Sequence, residues 1–154
     1  MKKGLFYTIL CIAIIICTII ITIILISKST KFKLNYTNSK KEAISILNRN
    51  KEKISDIAKT VYNTKESINN PIDNITYVSY SDSNHINKEY VQFDIDTRGM
   101  LGGQYYGLIY SNDDIIDGNI KKIYHEKNGN NTFIYEKIED NWYFYYFDYD
   151  GKTK

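Results

Sequence analysis

The sequence predicts an α+β fold: an N-terminal transmembrane helix, then one amphipathic helix packed on a curved antiparallel sheet of about six strands. Three observations carry this. Residues 5–26, LFYTILCIAIIICTIIITIILI, hold no charge, no Pro and no Gly. Residues 39–63 repeat apolar positions with a helical period, and residues 75–149 alternate apolar and polar positions between short turn-forming runs.

The apolar run comes first. As a helix it reaches about 33 Å, the thickness of a bilayer's hydrocarbon core. It is too long for a cleaved signal peptide, and no small-x-small cleavage pattern follows Ile26. Cys11 follows Leu10 and Cys17 follows Ile16, so neither has the small preceding residue of a lipidation site. With no further Cys downstream, a disulfide framework is excluded. Thr8, Thr18 and Thr22 can bond back along the helix. The run is therefore read as a single-pass signal anchor in the cell membrane, behind a basic tail at residues 1–4, with the lipid bilayer as its partner.

Charge around the span gives two answers about sidedness. Lys28, Lys31, Lys33, Lys40 and Lys41 outnumber Lys2 and Lys3, which favours a cytoplasmic domain. A short basic tail usually stays inside, however, and long domains cross regardless of charge. The expectation is an extracytoplasmic C-terminal domain at the cell envelope. Beyond residue 26 the chain holds 18 Lys plus Arg against 18 Asp plus Glu. A neutral surface offers no footprint for nucleic acid.

Residues 27–38 are polar without apolar periodicity and read as a stalk. Ser39 and Glu42 have capping-box spacing and open the domain 39–154. Ile44, Leu47, Ile54, Ala58 and Val61, widened by Ile57 and Tyr62, form a stripe ending near Asn63. Its near-heptad spacing also allows pairing with a second copy, interrupted at Lys51, so the oligomeric state stays open. Residues 64–74 contain the only Pro, Pro71, and read as turns. Strands are expected at 75–81, 90–97, 105–111, 120–126, 132–138 and 142–149. The order of helix and then sheet is shared with cystatin and nuclear-transport-factor rolls.

The segment Arg98-Gly99-Met100-Leu101-Gly102-Gly103-Gln104-Tyr105-Tyr106-Gly107 holds four of the eight Gly. A phosphate-cradling loop needs a helix after it and another Gly spacing, so this is read as a β-connection, with Gly107 at a bulge or close approach. From Gly99 to Asp114, and again over Asn141-Trp142-Tyr143-Phe144-Tyr145-Tyr146, the chain resembles small membrane-anchored proteins of low-GC Gram-positive bacteria. That resemblance implies a cell-envelope setting and carries over no catalytic residue.

The strand at 142–149 has large rings on both faces. One face must enter the core beneath the helix, and the other is either core or an exposed platform. His85 and His125 stand alone, the Asp-Gly pairs lack calcium-loop spacing, and no nucleophile elbow is present. No cofactor and no metal site is expected. The leading expectation is thus a membrane-tethered, non-enzymatic domain that binds a protein or cell-envelope component. Arg98, Gln104, Tyr105, Tyr106, Tyr110, Trp142, Tyr143 and Tyr145 are its candidate ligand contacts. The alternatives are a hydrolase using Asp94, Asp96 and His125, and a regulatory subunit of a larger membrane complex.

Overall fold

A computed structural model describes residues 2–82, 86–98, 103–125 and 131–149, excepting the side chains of 2–12, 28–34, 96–98 and 149. His85, residues 99–102, residues 126–130 and Asp150-Gly151 therefore lie outside the described residues. The chain divides into two compact units, Met1–Thr37 and Asn38–Lys154.

The first unit is helical. Helix α1 spans Lys2–Arg49, so residues 27–38, read as a stalk, are helical, and Ser39 lies inside α1 instead of capping it. The physical reason is that no Pro or Gly stands between residues 5 and 70, and polarity alone does not stop a helix. Ten large apolar side chains between Ile14 and Ile26 are each at least half exposed. Thr18 and Thr22 donate to the carbonyls of Ile15 and Thr18, both at 2.8 Å. Among the described residues no helix is long and apolar enough to cross a membrane.

In the second unit, α1 ends at Arg49 and α2 spans Lys51–Thr64, so the expected single helix breaks at Asn50. Asn50 has φ −123°, and its side chain donates to the Ile46 carbonyl at 3.2 Å, a bond that competes with regular helix. The break leaves the apolar phase intact. Ala43, Leu47, Ile54, Ala58 and Val61 are all fully buried, with Ile46 beside them. The stripe is used up against the chain's own sheet, with α2 lying on β2 (Ile75–Ser81) and β3 (Tyr90–Arg98). It is not left free for a second copy.

Among the described residues the sheet has seven strands where six were expected. The added one is β1, Ile68–Ile72, followed after β2 and β3 by β4 (Gly103–Tyr110), β5 (Lys121–His125), β6 (Thr132–Glu139) and β7 (Trp142–Tyr149). All neighbours are antiparallel, in the order β1-β2-β3-β4-β7-β6-β5. Pro71 conceals β1 in the sequence, yet Pro is tolerated on an outer strand, where its missing N–H breaks no ladder bond. A register shift between Asn69 and Ile72, with Asn70 at φ 46°, accommodates it.

Strand alternation sends Val78, Phe93, Leu108, Phe144 and Ile134 to the helix face, all buried. On that face the Tyr106 hydroxyl donates to Glu42 at 2.6 Å, and Lys40 pairs with Glu136 at 2.9 Å. Gly107 sits opposite the register shift between Asp94 and Asp96, the bulge expected from the sequence.

Candidate functional site

Strand β7 decides how much aromatic surface is left for a ligand. Trp142, Phe144 and Tyr146 lie on the helix face, and Tyr143, Tyr145 and Phe147 on the other. Every residue from Trp142 to Tyr146 is buried, at no more than 3% exposure. Trp142, Tyr143 and Tyr145 are therefore core, and the exposed platform does not exist at these positions. The cause is a second core on the far face. There Ile86, Ile115 and Ile116, from the segments flanking β3 and β4, pack with Tyr90, Ile109, Tyr135, Tyr143 and Tyr145.

Local hydrogen bonds hold that cover in place. The buried Ser111 hydroxyl donates to the Glu89 carbonyl at 2.8 Å and accepts the Asp113 N–H at 3.2 Å. Asp114 accepts the N–H groups of Ile116 (3.2 Å) and Gly118, which turns the chain so that Ile115 and Ile116 face inward. These two backbone bonds, from Ile116 and then Gly118, hold the Asp114 carboxyl below its usual range. A carboxylate depressed on folding stabilises the native state above its unfolded value of 3.8, and that contribution is lost as pH falls through the lower folded value. Urea midpoints measured from pH 6 to pH 2.5 are expected to fall in that window. Asp114→Asn is expected to flatten the dependence; an unchanged slope would remove Asp114 from it.

The rim residues divide. Tyr106 is buried on Glu42, and Tyr110 is buried with its hydroxyl donating to Asn112 at 3.0 Å and its ring 5.2 Å from Trp142. Arg98 and Gln104 form a register pair, and Gln104 also pairs with Asp148. Gln104 is half-buried, while the Arg98 side chain lies outside the described residues. Tyr105 is the candidate ring that reaches solvent. It lines a cavity of about 230 Å³ with Asn131, Phe133, Phe147 and Asp148.

Register explains this groove. Tyr105 pairs with Phe147, and Phe147 with Phe133, so three half-buried rings stand side by side on three adjacent strands of one face. The Phe133 and Phe147 rings meet edge to face at 4.9 Å. Sequence reasoning missed Phe133 and Asn131. The parity of β6 and β7 relative to Tyr105 would have found them, had the β4–β7 pairing been known.

The far face also holds a polar cluster. Asp94 accepts from the Tyr145 hydroxyl and from Gln92 at 2.7 Å, while burial first, and the nearby Asp94 charge second, push the Tyr145 hydroxyl well up. This pairing satisfies the buried phenol and joins β3 to β7 across β4. It does not meet His125, which is exposed on β5. Four strand spacings separate β3 from β5, roughly 19 Å. Asp94 and His125 therefore cannot share a proton, which removes the geometric basis of the hydrolase alternative. The Asp96 side chain lies outside the described residues. Among the described residues no group of three or more His, Cys, Asp or Glu could hold a metal ion.

Compared with protein-family models, curated proteins and solved structures, the chain matches none.

Proposed function

We propose that the protein is a membrane-tethered, non-enzymatic binding domain whose contact surface is the groove of Tyr105, Phe133 and Phe147, rimmed by Asn131 and Asp148. The observation that carries this reading is the half-burial of these three rings, when the rings from Trp142 to Tyr146 are all enclosed. A cavity of about 230 Å³ suits one sugar ring or one large side chain. Aromatic walls offer either of them contact area at little entropic cost, and Asn131 offers a polar partner at the edge.

Residues 5–26 are the anchor in this reading, supported by their uncharged composition and by the exposed Ile and Leu side chains from Ile14 to Ile26. The domain then works at the cell envelope, on the outer side, in an α+β roll of the cystatin or nuclear-transport-factor type. The resemblance to anchored proteins of low-GC Gram-positive bacteria agrees with that setting. Protease cleavage of the domain in intact cells is expected, and cleavage only after lysis would place it inside.

Tyr105→Ser tests the groove, because Tyr105 is half-buried and belongs to neither core. The full chain in uncharged detergent should bind solubilised cell-wall glycan about tenfold more weakly after the change, the equivalent of one aromatic contact of about 1.4 kcal/mol. Equal affinity of the two proteins would overturn the assignment.

A further inference from the structure

A second concavity shares no lining residue with the aromatic groove. It has a volume of about 340 Å³ and is formed where the break between α1 and α2 meets the turn between β1 and β2. Arg49 and Lys53 line it from the helices, together with Asn50. Asn70 lines it from β1, and Asp73 and Asn74 from the turn.

The two cations are the informative part. Lys40, Lys51, Lys65, Lys88, Lys122 and Lys137 of the same unit each have a carboxylate within 4 Å. Among the described residues Arg49 and Lys53 have none, and neither do Lys41 and Lys59, but of these four only Arg49 and Lys53 line the cavity, which Asp73 lines as well. Two exposed cations four residues apart, facing a common hollow, raise the local potential for an anion and can grip it from two directions.

The turn side has the opposite chemistry. Asn70, Asp73 and Asn74 present acceptors as well as amide donors. A bare dianion would be repelled by Asp73, whereas a hydroxyl group would be welcomed by it. We propose that this cavity binds a phosphate ester bearing hydroxyl groups, with the phosphate on Arg49 and Lys53 and the hydroxyls on Asn70, Asp73 and Asn74. The same headgroup chemistry occurs in a glycerol-based membrane lipid and in a free polyol phosphate.

Glycerol 3-phosphate titrated into the full chain in uncharged detergent, followed calorimetrically, tests the proposal. Saturable binding is expected, weakened at least fivefold by Arg49→Gln and by Lys53→Gln, and unchanged by Lys59→Gln, an exposed cation on α2 outside the cavity. Asp73→Asn is expected to reverse selectivity, weakening glycerol 3-phosphate and strengthening inorganic phosphate. Micellar phosphatidylglycerol that competes with glycerol 3-phosphate supports the site and assigns a lipid source, and binding without such competition supports it with a soluble source. No saturable binding, or equal losses in the Lys59 and Lys53 variants, would overturn it. Melting midpoints of the variants within about 2 °C of the parent keep a loss of binding distinct from a loss of fold.

Discussion

Gly107→Ala is expected to unfold the sheet domain at temperatures where the parent chain is stable. A Cβ at this position would stand 1.9 Å from the carbonyl oxygen of Phe93 and 2.9 Å from Cε1 of Tyr145. The first contact is with backbone, so no rotamer change relieves it. The second is with a ring that is fully buried and held by Asp94. Strand β3 or β4 would have to separate at the bulge, and the cores on both faces would open together. A loss of about 4 kcal/mol or more is expected, at the upper end for single substitutions, with the melting midpoint lowered by roughly 15 °C or more. Gly118→Ala is the comparison. Gly118 has φ +76° with nothing within 4 Å of its Cβ position, so only the backbone strain of about 1 to 2 kcal/mol applies. Similar melting shifts for the two variants would show that the close approach at Gly107 is not what holds the centre of the sheet.

Phe144→Ala is expected to cost about 3 to 5 kcal/mol, because it empties the helix-facing core at its middle. Phe144 is fully buried between Tyr106 and Tyr146, with ring centroids 6.5 Å and 6.4 Å away. Its strand partners are Leu108 and Glu136. None of these neighbours can close the gap without moving the strand. Urea denaturation followed by Trp142 fluorescence measures the loss, since Trp142 lies on the same face two residues away. A loss below 1 kcal/mol would mean that the helices do not cover this face. Together the two substitutions distinguish a sheet buried on both sides from one buried on a single side.

Much of this arrangement was legible in the residues. All six expected strands fall within two residues of the observed ones, because most of them alternate apolar and polar positions between short polar runs. An isolated Gly in a strand marks a bulge or a close approach, and Gly107 shows both. The misses have separate causes. Pro71 argued against a strand, and only a strand with no outer neighbour could accept it. Asn50 broke a helix whose apolar phase ran on undisturbed, so periodicity could not reveal the break. The rings of β7 were ambiguous because burial on the far face depends on Ile115 and Ile116. These stand in a loop that no period marks, and a side-chain acceptor at Asp114 turns it inward. The Tyr105 groove required the β4–β7 pairing, a contact between residues about 40 apart in sequence, which strand patterns do not encode.

That pairing has a consequence for how the chain comes off the ribosome. Among the described strands the last in chain order, β7, is not at a margin of the sheet but between β4 and β6. Until residues 142–149 have emerged, β1 to β4 form one ribbon and β5 with β6 another, and nothing in the ladder joins them. The two ribbons carry Leu108, Ile109, Ile134 and Tyr135, all buried in the finished fold, and leave them uncovered in the meantime. The sheet is thus completed only with β7, and a ribosome stalled before Trp142 is expected to present two sticky half-sheets in place of one nearly complete domain.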